Sequence, residues 1–321
     1  MYDVTAIGEL LIDFACKSTD AAGYPTLAAN PGGAPGNLLA ALNAYGCKTA
    51  FLGKVGEDAF GRLLLNTLAR AGIETKGIVS DPNYFTTMAF VTLDETGNRT
   101  FSFARKPGAD TQLTFEELDL SLIDGCRDFH FGTLSLTDEP MRSATQQAVA
   151  YARQRGKLIS FDPNLRRPLW RDLEEARRQI LWGLTQADIV KLSDEEVDFL
   201  WGCSPEEGAE KLHREHGVQL AFVTLGPEGC YYSNGTVSGR VATPQGIQVV
   251  DTTGAGDIFG GSVLSRILRS GKAPEALTGA ELREATRFAC CAASLSTQRY
   301  GGIPSVAPEE AVLALMEAQA D

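Results

Sequence analysis

The chain has 321 residues, 44% hydrophobic and 22% charged, enough to bury a large core in one big domain or one and a half. Its net charge of -12 argues against nucleic acid or an anionic membrane surface as partners, since either requires a broad basic face. An anionic ligand must therefore be held locally, by amides, a few Arg or Lys, or a metal. Seven cysteines with no Cys-x-x-Cys pair read as the reduced thiols of a cytoplasmic protein. The first apolar run is interrupted by Glu9 and Asp13 and follows no basic leader, and no later stretch reaches the roughly 18 uncharged apolar residues of a spanning helix.

Strand and helix patterns alternate along the chain. Short β-rich runs fall at 4–8, 49–53, 129–131, 158–161, 189–192 and 220–224. Between them lie segments of 3.6-residue periodicity, at 38–45, 60–71, 141–155, 173–184, 207–216 and 258–269. That order predicts an α/β fold: a central, mostly parallel sheet with helices on both faces, binding ligands where its strands end. Residues 10–27 and 86–105 break the alternation and read as a partial strand and a hairpin turning at Asp94-Glu-Thr-Gly-Asn98. A small β-sheet lid over the main sheet is the natural place for them. The expected organisation is a single domain over 1–321 with lid segments near 10–30 and 84–108.

Four motifs carry chemistry. Pro31-Gly-Gly-Ala-Pro-Gly-Asn37 opens the helix at Leu38; its glycines permit close backbone approach, and Asn37 can both donate to and accept from a sugar hydroxyl. Phe161-Asp-Pro-Asn-Leu-Arg166 follows a buried strand and sets Arg166 at the strand's end, where its fork meets phosphate oxygens or forms a plain salt bridge. Thr224-Leu-Gly-Pro-Glu-Gly229 is a strand running into a glycine turn, fit for a nucleotide or for a hairpin alone. The most informative stretch is Asp251-Thr-Thr-Gly-Ala-Gly-Asp257, just before an apolar-periodic helix. The N–H groups of Gly254, Ala255, Gly256 and Asp257 at the positive helix end can form a pocket for phosphate oxygens, with Asp257 beside it as a base. The plainer reading is a capped helix after a glycine turn. His213 and His216 lie one turn apart with no third ligand, which reads as an exposed helix face rather than a metal site.

Together these stretches resemble the PfkB family of carbohydrate kinases, which share the ribokinase-like fold. The resemblance spans essentially the whole chain: Gly32 and Gly33 with Asn37, Gly46 and Gly56 look like the N-terminal signature, and residues 251–257 like the C-terminal one. It implies that Asp257 takes the proton from the attacking sugar hydroxyl and that the amides from Gly254 to Asp257 form an anion hole. Mg²⁺ and Arg166 would share the stabilisation of the phosphoryl group transferred from ATP. Lys191-Leu-Ser-Asp-Glu-Glu196 stands where the family carries Asn-x-x-Glu, so Glu196 matches the carboxylate that organises water around Mg²⁺, and Ser193 replaces the Asn. On the nucleotide side the resemblance implies Lys191, Thr224, Gly226 and Gly229, with Cys290 at the adenine position; Asp251 and Thr253, with Arg299-Tyr-Gly-Gly302, resemble a potassium site.

On the sugar side it implies Asp13 at the end of the first strand, Gly33, Asn37, and Arg105 from the lid segment Arg105-Lys-Pro-Gly-Ala-Asp110. Gly-Gly-Ala-Pro-Gly-Asn looks like the bacterial fructokinase version of the first signature. The implied reaction is ATP-dependent phosphorylation of a ketose at its terminal hydroxyl, fructose to fructose 6-phosphate. The alternatives are a relative acting on 2-keto-3-deoxygluconate, ribose or a nucleoside, and a non-catalytic binding protein. A homodimer through exposed lid strands is a further expectation.

Overall fold

Runs such as Leu-Ala-Phe-Val-Thr at 220–224 are apolar at nearly every position, the pattern of a strand covered on both faces. The computed structural model, which describes residues 1–93 and 99–319, bears this out. Its strands are β1 (Tyr2–Ile7), β2 (Leu11–Thr19), β3 (Pro25–Gly32), β4 (Thr49–Gly56), β5 (Glu74–Asp81), β6 (Thr87–Leu93), β7 (Arg99–Ala104), β8 (Cys126–Gly132), β9 (Leu158–Asp162), β10 (Ile189–Ser193), β11 (Leu220–Thr224), β12 (Cys230–Ser233) and β13 (Ser238–Val241). The helices are α1 (Ala34–Ala44), α2 (Ala59–Arg70), α3 (Leu120–Asp124), α4 (Met141–Gln154), α5 (Leu173–Gln186), α6 (Asp194–Trp201), α7 (Pro205–His216), α8 (Ala255–Ser270), α9 (Gly279–Ser296) and α10 (Glu309–Ala318).

The large sheet runs β13-β12-β11-β10-β9-β8-β1-β4-β5, parallel from β5 to β11 and closed by the antiparallel pair β12 and β13. Alternate side chains along each strand feed two cores. Ile7, Phe131, Phe161 and Val223 pack with Leu122, Val149, Ile180, Val197 and Leu212 of α3 to α7, whereas Val4, Phe51 and Phe222 pack with Leu38, Leu64, Phe259, Ile267 and Leu282 of α1, α2, α8 and α9. Each fully buried Phe contributes roughly 2–3 kcal/mol of apolar transfer. The small sheet has the order β3-β2-β6-β7, with β2 and β6 parallel and both outer pairs antiparallel. The turn expected at 94–98 lies outside the described residues. Among the described residues no helix is long and apolar enough to cross a membrane.

The fold departs from two sequence expectations. The first helix begins at Ala34 rather than Leu38: Pro35 is tolerated in a first turn, and the Glu9 carboxylate accepts the N–H of Ala34 at 2.8 Å. Asn37 is therefore a helical residue. Asp13 is not at the end of β1, which stops at Ile7, but inside β2 of the small sheet, paired with Asn30 and Ala89.

Candidate active site

The site forms where β1, β8, β9, β10 and β11 end and α8 begins. Gly254 caps α8 at φ 75°, a left-handed conformation, and a Cβ there would lie 2.9 Å from the Gly302 Cα and 3.1 Å from Asn37 Nδ2. Asp257 sits in the first turn of α8, only 6% exposed, and each carboxylate oxygen accepts one amide: Oδ2 from Asn37 Nδ2 at 2.8 Å, Oδ1 from Asn164 Nδ2 at 2.9 Å. Burial pushes this carboxyl up to about 6, with the Asp162 charge adding to the rise; the Asn37 hydrogen bond and the positive charges of Arg166 and Lys191 draw it partway back. The Ala255 N–H is spent on the Thr252 carbonyl at 3.2 Å, so the expected four-amide pocket narrows to Gly254, Gly256 and Asp257.

Asn164 was missed by sequence reasoning, although it lies in the motif read for Arg166. Its φ of 45° is a left-handed conformation that Asn tolerates better than most residues, and its N–H bonds the Asp162 carboxylate at 3.2 Å. Arg166 itself is exposed, and its charge reaches both Asp257 and Asp13.

A buried ion pair stands beside Asp257. Lys191 Nζ lies 3.0 and 3.2 Å from the two oxygens of Asp162. A Cβ on Gly256 would come within 3.2 Å of that ammonium, so the glycine lets Lys191 reach the start of α8. Burial opposes the Lys191 charge, but Asp162, Glu196 and Asp257 outweigh it and its pKa is raised. Burial likewise raises Glu196, against the pull of Lys191. The presence of Ser at 193 has a local explanation: Ser193 caps α6, its Oγ accepting the Glu196 N–H at 3.2 Å while Glu196 Oε2 accepts the Ser193 N–H at 2.8 Å. Glu196 Oε1 accepts the Leu165 N–H at 2.7 Å, which ties β10 to the loop carrying Asn164.

Of the residues expected at a sugar, Gly33 adopts φ 119°, and a Cβ there would lie 2.4 Å from the Glu9 carbonyl oxygen, so no larger residue fits. Asp13 is half-buried and burial pushes it up to about 6; Arg166 lowers it and Asp257 and Asp251 raise it, which puts it within electrostatic reach of Asp257. Arg105, expected at the sugar, is engaged by protein groups. It is 5% exposed, and its guanidinium donates to Asp110 Oδ2, Thr137 Oγ1 and the Leu134 carbonyl, each at 2.8 Å. Thr87 holds the other Asp110 oxygen. The arginine thus clamps the end of β7 to the main domain, with every nitrogen engaged. Beside it opens a cavity of about 570 Å³ lined by Phe103, Lys106, Thr111, Trp170 and Arg171.

The nucleotide-side candidates divide. Thr224 ends β11 and its hydroxyl donates to the Leu192 carbonyl at 3.2 Å. Gly226, at φ 55°, has open space where a side chain would stand, whereas a Cβ on Gly229 would collide with the Val241 carbonyl oxygen at 1.9 Å, so Gly229 answers to packing against β13. Cys290 is 3% exposed in the core beside Cys230, burial pushing its thiol up to about 12; it offers little surface to a base. Asp251 accepts the Thr253 N–H and hydroxyl on Oδ1, at 3.1 and 2.8 Å, and the Gly301 N–H on Oδ2 at 3.0 Å, so it shapes the loop leading to α8. His213 bonds the Val218 carbonyl and Ser233, and no group of three metal-ligating side chains occurs among the described residues.

A model of the pfkB family carbohydrate kinases matches residues 1–310. The chain belongs to this family. As a PfkB carbohydrate kinase it is 43% identical over 319 residues to Fructokinase-1 of Zea mays, covering 98% of this chain and 97% of that one. It is 40% identical to Fructokinase-2 of Solanum lycopersicum, covering 98% and 96%. Among solved structures, the fructokinase of Xylella fastidiosa with bound ATP superposes at a TM-score of 0.91 with 30% identity, covering all of both chains. A double mutant of the Vibrio cholerae O395 fructokinase, bound to fructose, ADP and potassium, superposes at 0.87 with 31% identity over 98% of each chain. The ribokinase-like architecture of large and small sheets is shared with these PfkB kinases.

Proposed function

We propose that this carbohydrate kinase transfers the γ-phosphoryl group of ATP to the 6-hydroxyl of fructose, with Asp257 as the base. The observation that carries the reading is the Asp257 carboxylate, buried at a helix N-terminus and gripped by the amides of Asn37 and Asn164. With both oxygens oriented, the remaining lone pairs have a fixed direction in which to meet an acceptor hydroxyl. A carboxyl held near 6 is ionised at neutral pH yet more basic than an exposed aspartate, which suits proton removal during attack on phosphorus. The amides of Gly254, Gly256 and Asp257 at the start of α8 would meet the phosphoryl oxygens, and the Lys191 ammonium, which reaches the same turn beside Gly256, would add positive charge. Arg166, exposed and within electrostatic reach of Asp257 and Asp13, would add positive charge for the same oxygens.

The choice of fructose and ATP follows the fructokinases that the chain is similar to, one solved with ATP and one with fructose, ADP and potassium. Asp13, Gly33 and Asn37 supply the sugar wall. Glu196 and Asp162 are hard oxygen donors that fit Mg²⁺ through its waters, because the free lone pairs of Glu196 lie beside two bonded backbone N–H groups. Such an ion would neutralise the oxygens of the nucleotide phosphates. The Asp251 carboxylate, already bonded to Thr253 and Gly301, fits a potassium ion less directly, leaving it to backbone carbonyls. ADP release by the purified protein with Mg-ATP tests the assignment, measured against fructose, tagatose, ribose, 2-keto-3-deoxygluconate, adenosine and no sugar. Fructose-dependent turnover abolished in Asp257→Asn supports it; turnover on a different sugar replaces the substrate and leaves the base.

A further inference from the structure

Helix α1 lacks a local cap. Its N-cap is Gly33, which brings no side chain, and no acidic residue stands in its first turn. The Ser, Thr, Asp or Asn that ordinarily opens a helix is excluded at this position, since a Cβ on residue 33 would overlap the Glu9 carbonyl oxygen. The cap comes instead from 25 residues upstream: Glu9 Oε1 accepts the Ala34 N–H at 2.8 Å. Glu9 is 2% exposed and stands between the end of β1 at Ile7 and the start of β2 at Leu11, where the chain leaves the large sheet for the small one. Ala34 stands where it returns, two residues after β3 ends at Gly32. The two crossings touch again one residue earlier on the outgoing side, where a Cβ on Gly8 would lie 2.6 Å from Pro35 Cγ.

This contact reaches the site through one peptide group. The N–H of Ala34 and the carbonyl of Gly33 belong to the same planar unit; the first donates to Glu9, and the second accepts the Asn37 N–H at 3.1 Å. Asn37 in turn gives its Nδ2 to Asp257 Oδ2 at 2.8 Å. Little play is left in that amide, because a Cβ on Gly254 would meet Nδ2 at 3.1 Å and one on Gly302 would overlap Oδ1. A turn of the Gly33–Ala34 peptide plane is thus passed to the side chain that grips Asp257. The carboxyl is costly to place here: burial pushes it up to about 7 and Asp110 adds to the rise, while its own N–H, that of Ala34 and the Arg105 charge pull it back. An apolar residue would avoid that cost but could not accept the N–H. Ionised or protonated, a carboxyl keeps an oxygen able to accept, so the tie holds through neutral pH.

We propose that Glu9 is a positioning residue of the phosphoryl acceptor site: by capping α1 from the connection between β1 and β2 it sets the Gly33–Ala34 peptide, and through it the Asn37 amide, for Asp257. The proposal rests on Asp257 being the base. Displacing a reacting group by about 1 Å costs up to roughly 100-fold in rate, so Glu9→Ala lowers kcat about 10- to 100-fold while KM for ATP holds. Glu9→Gln, which keeps an oxygen for the Ala34 N–H, retains most of the rate. Glu9→Asp keeps the charge but withdraws the oxygen by one methylene, so it behaves as the alanine variant does and serves where that variant folds poorly. In Asn37→Ala the route is already cut, and adding Glu9→Ala lowers kcat by less than about twofold further.

Carbon-13 NMR of the Asp257 carboxyl reads the same route without turnover and without a sugar. Weakening the Asn37 hydrogen bond removes an interaction that favours the ionised form, so the carboxyl titrates higher in Glu9→Ala than in the wild type, and Glu9→Gln returns it. That readout holds whether or not Asp257 takes the proton, which Asp257→Asn tests by itself. An upward shift of Asp257 together with non-additive losses in the Glu9 and Asn37 pair supports the proposal. An Asp257 titration unmoved in Glu9→Ala, even with a lowered melting temperature, overturns it, as do losses that add to those of Asn37→Ala or a Glu9→Gln enzyme as slow as Glu9→Ala.

Discussion

At neutral pH the fold holds the Asp257 carboxylate at a cost, and Asp257→Asn should reveal it. Burial moves this carboxyl from its ordinary 3.8 to about 6, so the native chain binds the proton more tightly than the unfolded chain by roughly 3 kcal/mol. Below 3.8 both states are protonated and no penalty exists. Between 3.8 and about 6 the unfolded chain ionises first and stability falls; above that the full penalty stands. The amide does not titrate, so the stability difference between variant and wild type should shift in the variant's favour by roughly 2–3 kcal/mol from pH ~4 to pH ~8. One of the Asn37 and Asn164 amides loses an acceptor in the variant, a loss of about 1 kcal/mol that is the same at every pH and cancels from the comparison. Urea unfolding of both proteins at the two pH values measures the shift, and ADP release at the higher pH should fall on the order of 10²–10⁴-fold. A stability difference independent of pH would refute the raised carboxyl, and undiminished turnover would remove the base.

The same carboxyl should set the rate profile: kcat/KM rises with pH around 6, and Asn37→Ala shifts that midpoint upward because a hydrogen bond favouring the ionised form is gone. A midpoint that moves down or stays put in Asn37→Ala contradicts the pairing. Gly256→Ala would set a methyl 3.2 Å from Lys191 Nζ, so kcat should drop roughly 10-fold with the melting temperature nearly unchanged; full activity would mean that the ammonium's approach is not used. Arg105→Ala should lower unfolding free energy by about 3 kcal/mol, since Asp110 is left buried without its partner. A stable variant with only a raised sugar KM would return Arg105 to the sugar.

The mostly apolar runs at β9 to β11 were legible because strands covered on both faces favour apolar residues, and the glycine-Asp turn before α8 was legible because a helix start with small residues serves few other ends. β5 escaped because an edge strand reading Glu-Thr-Lys-Gly-Ile-Val-Ser-Asp is too polar to announce itself, and α10 because its pattern follows a loop with no strand between. Within the site, Asp257, Asn37, Lys191 and Glu196, which the family resemblance singles out, lie together. Asn164 was invisible because its role depends on a left-handed backbone and a partner 93 residues away. Arg105 reads as ligand-facing because it is a charged residue in a lid; the structure adds its buried ion pair with Asp110, five residues on. Cys290 sits in a helix whose register turns it to the core, and one residue's facing is beyond what a family position alone can specify.

Asp257 is held by asparagines 220 and 93 residues upstream. Synthesis delivers Asn37 and Asn164 long before their shared acceptor, so a growing chain has most of its strands and helices before the carboxylate that both amides grip. During refolding, collapse and sheet formation should likewise run ahead of phosphotransfer, and the return of turnover should time the final docking of α8 onto α1 rather than the gain of secondary structure.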